Sequence, residues 1–199
     1  MNLKHLGTQY GGWTVDVDLV PNDGVILDCG VGTDMSFSEA LRNIKPGLKS
    51  VLVDHTDESK EFVEKKRGYP WTTFVHAAVA PLGYGPKLTM YRHKTSGSES
   101  SSRGHSFINP MQTYEVPTVS LTDLIAKYKP CLVKLDIESA EYGTIRECIG
   151  VTQVCFEAHH RMDTGFSEAD TDAVLRDFIA QGYKVEHRTA TDEILMVKR

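Results

Sequence analysis

Short apolar runs recur along this chain, each closed by a glycine, a proline or an acid, and they alternate with amphipathic stretches. VILDC (25–29) lies between Asn22-Asp23-Gly24 and Gly30, the pattern of a buried strand. SVLVD (50–54), TTFVHAAV (72–79), CLVKLDI (131–137) and QVCFEAH (153–159) repeat it. WTVDVDL, near the N-terminus, reads as a short strand, and KLTMYRH (87–93) alternates like an exposed one. Between them, 34–43, 57–67, 119–129, a segment from about Tyr142, and 166–183 carry helical spacing. Pro46-Gly47 stops the first helix, and Ser120 is a candidate N-cap with Asp123 three residues on. KVEHR and EILMVK, joined by TATD, predict a hairpin. That turn is too short for a parallel crossover, so the last strand should run antiparallel to its neighbour. The expected fold is α/β, a mostly parallel sheet with helices on both faces and an antiparallel C-terminal strand. Residues 1–24 read as an N-terminal arm, and 25–199 as one domain.

Composition narrows the partners. The 199 residues carry a net charge of −5, so no global basic field draws the chain to nucleic acid or an anionic membrane. No stretch reaches the roughly 20 apolar residues of a membrane span. The start, MNLKHLGTQYGGW, lacks the apolar run of a signal peptide. Cys29, Cys131, Cys148 and Cys155 form no CxxC pair, and three sit in or beside apolar runs. Small hydrophobic cysteines fit a reducing compartment, and the cytoplasm is expected. No coiled-coil signal or apolar patch defines an oligomeric state.

Candidate chemistry begins at Asp28-Cys29-Gly30-Val31-Gly32, where a strand turns into a helix. Glycines there let the backbone approach a ligand, and the helix N-terminus favours a negative group. A dinucleotide fingerprint requires a third glycine, but Met35 stands there; D-x-G-x-G is the S-adenosylmethionine pattern instead. Asp54, closing VLVD, suits the two ribose hydroxyls of a nucleoside. The strand edge at His76-Ala77-Ala78 suits an adenine ring and ordinary packing equally.

These pieces resemble the FkbM-type S-adenosylmethionine-dependent methyltransferases over nearly the whole chain. The matching segments are VILDCGVGTDMSF, VLVDHT, VHAAVAPLGYGPKLTMY, VPTVSLTDLI, LVKLDIESAEYGTI and VCFEAHHR, in the family's order. The resemblance implies a Rossmann-like class I methyltransferase sheet, S-adenosyl-L-methionine as donor, and a hydroxyl oxygen as the usual acceptor. It carries cofactor contact onto Asp28, Gly30, Gly32 and Asp54. His55, beside Asp54, and Ala77 complete the candidate cofactor set. One position departs: the family usually has glycine where Ser139 stands. If that turn needs positive φ, serine costs about 1 kcal/mol or more.

The segment CLVKLDIESAEYG places Lys134, Asp136, Glu138 and Glu141 at one strand end. In such a fold this end faces the ligand crevice beside the first strand. Strand alternation puts Lys134, Asp136 and Glu138 on one side, and Cys155, Glu157 and His159 together on the next strand. Lys134, deepest, should pair with Asp136 or a neighbouring carboxylate. Methyl transfer needs the acceptor lone pair held near the methyl and a group to take the acceptor's proton. Asp136 is the first candidate for that role and His159 the second, with Glu157 and Glu138 shaping the site. Glu141 reads as a structural ion-pair partner already in the next helix. A divalent metal held by these carboxylates and His159 is a rival, but no tight ligand spacing favours it. The expected acceptor is a small molecule or glycan, with no nucleic acid or membrane partner. The Ser-rich loop 95–106, with Arg103 and His105, is a candidate substrate lid, although its composition also fits a linker. Tyr10 and Trp13 on the arm are candidates to cover the donor, although core packing suits them too. The alternative to an enzyme is a non-catalytic nucleoside-binding or interaction module on the same fold.

Overall fold

The computed structural model describes residues 1–66, 69–93, 99–101, 111–162 and 164–199. Its centre is a seven-stranded sheet. Five strands are parallel: β3 (Val25–Cys29), β4 (Lys49–Asp54), β5 (Thr72–His76), β10 (Leu132–Leu135) and β11 (Gln153–Glu157). The hairpin β12 (Tyr183–Arg188) and β13 (Glu193–Lys198) completes it, with β13 antiparallel to both β11 and β12. The order is β12-β13-β11-β10-β3-β4-β5. The strand order reverses between β3 and β10, and a crevice at their carboxyl ends is the expected ligand position.

Strand alternation sorts the core into two layers. Leu27, Val133, Leu135, Val154 and Met196 face α3 (Leu121–Tyr128), α4 (Glu141–Thr144) and α5 (Glu168–Ala180). Ile26, Leu132, Cys155, Leu195 and Val197 face α1 (Ser36–Ile44) and the N-terminal arm. The helix α2 (Asp57–Lys65) lies toward β5, where Phe62 and Val63 pack with Leu52 and Met35. Ser120 caps α3 by accepting the N–H of Asp123, as its spacing predicts.

The arm is a hairpin, β1 (Leu3–Leu6) and β2 (Trp13–Asp16), followed by one 3₁₀ turn, Val17–Leu19. So the strand expected in WTVDVDL stops at Asp16, whose side chain caps that turn. Trp13, Val15, Val17 and Val20 are core residues. The fully buried Gln153 fastens the arm to β11: its carboxamide accepts the N–H of Asp16 at 2.9 Å and donates to its carbonyl at 3.0 Å.

Two local expectations change. TTFVHAAV is two strands: at Ala77 the chain leaves the main sheet, and β6 (Ala78–Val79) joins a second, four-stranded sheet. That sheet also holds β7 (Lys87–His93), β8 (Glu99–Ser100) and β9 (Met111–Val119), in the order β6-β9-β7-β8. β9 went unread because Pro117 and its polar neighbours argue against a strand. β7 is not wholly exposed; Leu88 and Met90 pack on Ala78 and Val116.

Candidate active site

A cleft of about 440 Å³ opens where β3, β4 and β10 end, within the usual size range of small-ligand sites. Its floor is the glycine turn. Gly30 has φ +78°, and a Cβ there would lie 1.6 Å from the carbonyl oxygen of Asp136. Its glycine is therefore demanded by the chain after β10, a reason different from ligand approach. Gly32 is the reverse case: φ is +52° and nothing lies within 4 Å of where its Cβ would be. Its N–H donates to Asp54 Oδ2 at 2.9 Å, while Asp54 Oδ1 accepts from the Thr56 N–H and hydroxyl. Asp28 also borders the cleft but is buried, held by the Ser38 hydroxyl at 2.9 Å and by Lys134 at 3.5 Å.

The opposite wall comes from the second sheet. His55 does not point freely at the cleft; its Nε2 meets Glu99 at 2.6 Å. Glu99 also accepts from Arg92 and the Tyr114 hydroxyl, and Arg92 reaches Glu58 at 3.3 Å. Burial opposes ionisation of Glu99, yet the bonds from His55 and Tyr114 and the nearby positive charge hold its carboxyl below the usual range. Met90, Arg92 and Ala77 line this side. Tyr10 stands on the rim, 92% exposed, whereas Trp13 is in the core with Lys134 Nζ 5.5 Å above its ring. Arg103 and His105, the lid candidates, lie outside the described residues.

The charged strand end forms the third wall. Parallel register sets Lys134 beside Asp28 on β3 and Cys155 on β11. Buried Lys134 donates to the Gly30 carbonyl at 2.7 Å and lies 3.7 Å from Asp136, which meets its need for a partner. Beyond Leu135 the backbone turns through two left-handed residues, Glu138 (φ +54°) and Ser139 (φ +81°). The turn thus has the conformation for which glycine is the easier residue. The Ser139 hydroxyl lies 3.1 Å from that of Ser100, which donates to the Glu138 carbonyl at 2.7 Å.

This turn throws Glu141 inward. It is 1% exposed, accepts the Ile137 N–H at 3.0 Å and meets His159 Nδ1 at 2.8 Å. His159 is itself 4% exposed. Its other nitrogen, Nε2, faces Glu138 at 3.6 Å, Asp136 at 3.8 Å and Glu157 at 3.9 Å. The four predicted catalytic side chains are therefore brought together, with Glu141 behind them. His160 turns away to Thr171 and Asp192.

The electrostatics follow from crowding. Burial raises the Asp136 carboxyl in spite of Lys134 and His159. Burial, then the charge of Asp136, pushes Glu157 up to about 7. Burial disfavours the imidazolium of His159, but Glu141, Glu138 and Asp136 overcome it and raise the ring to about 10. The surrounding acids thus favour the protonated ring of His159.

Residues 30–185 match the FkbM methyltransferase domain. The chain belongs to this family. The fold agrees. The fibrillarin/Nop5p complex structure is similar over 90% of this chain and 74% of its own, with TM-score 0.54 and 12% identity. A precorrin-6y C5,15-methyltransferase from Geobacter metallireducens GS-15 gives 0.51 and 15%, covering 92% and 85%. No match was found among curated proteins. The FkbM family and this fold are those of S-adenosylmethionine-dependent methyltransferases. Sequence reading placed Glu141 in a structural role, and its bond to His159 makes that role the orientation of the site. The Glu99–Arg92–Tyr114 wall was missed; only the alternation in KLTMYRH carried a trace of it.

Proposed function

We propose that this FkbM-family protein transfers the methyl group of S-adenosylmethionine to a hydroxyl oxygen on a small molecule or glycan. The observation that carries the reading is one cleft with the glycine turn and Asp54 on one side and Asp136 and Glu138 on the other, with His159 and Glu157 next to Asp136. When bound, the donor supplies an electrophilic methyl on a sulfonium, and the electrons of the broken carbon–sulfur bond stay on sulfur. Asp54 accepts from the ribose hydroxyls, Gly32 keeps the floor open, and Ala77 leaves a flat surface for the base. The acidic wall favours a cationic ligand and repels a nucleic-acid backbone. Asp136 orients the acceptor hydroxyl, whose oxygen bonds to the methyl carbon, and a carboxylate of the cluster takes its proton. His159, held by Glu141, sets an imidazole beside these carboxylates. The four cysteines are unpaired, which supports a reducing compartment such as the cytoplasm. No described helix is long and apolar enough to cross a membrane.

Isothermal titration with S-adenosylhomocysteine tests the donor half. Binding that Asp54→Ala weakens at least about 10-fold is expected, since a pair of hydrogen bonds to a charged group is lost. A folded protein that binds neither donor nor product rejects the proposal. Release of S-adenosylhomocysteine across a panel of hydroxyl acceptors tests the other half. Binding without turnover on any of them leaves the non-catalytic module as the reading.

A further inference from the structure

The cluster at the ends of β10 and β11 gathers ligating side chains around one imidazole. Asp136, Glu138, Glu141 and Glu157 all lie within 4.0 Å of His159. Lys134 is already engaged with Asp28 and the Gly30 carbonyl. His159 Nε2 makes no hydrogen bond among the described residues, although its ring is almost fully buried and this nitrogen points into the carboxylates. One donor atom each from Asp136, Glu157 and His159 lie within 4.8 Å of one another. Atoms sharing a metal at about 2.1 Å lie about 3.0–3.4 Å apart, so a contraction of at most about 1.4–1.8 Å brings the three together.

The ring is also prepared as a metal-ligating histidine is. Its Nδ1 donates to the buried Glu141, which fixes the ring plane and leaves Nε2 as the ligand atom. A ring and two carboxylates are a mixed nitrogen and oxygen donor set. Such a set suits manganese or zinc better than magnesium, which prefers oxygen alone.

We propose that Asp136, Glu157 and His159 bind one divalent first-row cation, for which Mn²⁺ is the probe. It takes the place of the proton on Nε2. Resting on the function proposed above, the cation also holds and polarises the acceptor hydroxyl, and Glu138, outside the three ligands, receives the proton. In sequence this ligand set stands only as a rival reading, because Asp136 meets Glu157 and His159 through the pairing of β10 with β11.

The test is titration of MnCl₂ into the full chain after chelation and dialysis. One saturable equivalent is expected. Glu157→Gln and His159→Asn should each weaken it at least about 10-fold, and Glu141→Gln about 10-fold through the lost ring orientation. Glu115→Gln, a surface acid, should leave it unchanged. Glu157 is only partly buried, so its variant keeps the test sharp if the histidine variant does not fold. Absence of saturable Mn²⁺ binding overturns the site, as does binding that Glu157→Gln leaves intact. Titrating S-adenosylhomocysteine into the same samples separates the failures. Intact product binding without Mn²⁺ binding sinks this inference alone, whereas absent product binding by the folded wild type sinks the proposed function.

Discussion

Two walls of the cleft gather acids and a histidine, and they do opposite things with them. On the second-sheet wall, Glu99 takes bonds from His55, Arg92 and Tyr114, and the pattern of donors and acceptors closes. On the β10–β11 wall, His159 Nε2 faces three carboxylates at 3.6–3.9 Å and bonds to none. A closed network fixes a surface, while an open one keeps free energy for a ligand that completes it. On the function proposed above, the first wall is scaffold and the second the reactive face.

The largest effect should come from the open wall. Asp136→Asn keeps the shape and removes the charge. It should lower methyl transfer about 100-fold or more, read as S-adenosylhomocysteine release, while product binding stays within about threefold. Equal loss of both would make Asp136 part of the donor site instead. On the closed wall the balance should reverse. Glu99→Gln strands Arg92 and His55 and should cost about 2 kcal/mol of stability, about 4–8 °C in melting temperature. A melting temperature equal to wild type would show that the network holds nothing.

The pH dependence sharpens the same contrast. The Glu99 carboxyl is held below the ordinary glutamate value of 4.5, so its stabilisation is complete above that value. It is lost as pH falls through the lower folded value. The gap in melting temperature between wild type and Glu99→Gln should be full at neutral pH and shrink under acid. A gap that grows under acid contradicts the assignment. Away from both walls, Gln153→Leu leaves the Asp16 N–H and carbonyl buried without partners. It should cost about 1–3 kcal/mol, measured by urea unfolding. The smallest effect belongs to Ser139→Gly, which relieves a left-handed serine but loses its contact with Ser100. A gain of about 1 kcal/mol or less is expected, and a clear loss would show that the Ser100 contact outweighs the strain.

Much of the frame was legible in the chain itself. Continuous apolar runs at 25–29, 50–54 and 131–137 identify strands buried on both faces, and Ser120 marks the start of α3, because each depends on neighbours a few residues away. The TATD turn dictates an antiparallel hairpin for the same reason. The glycine turn and Asp54 read as the edge of a crevice, and both line the cleft. Tertiary structure decided the rest. The demand for glycine at position 30 comes from the carbonyl of residue 136, far along the chain. Only the left-handed turn at Glu138 and Ser139 aims Glu141 at His159. Only the β10–β11 register brings the carboxylates at 136 and 157 to one ring. Periodicity and turn chemistry act over one turn or one strand, and a sequence displays them directly. The meeting of distant charges depends on strand pairing and on how burial is shared among groups that the chain holds apart until it folds.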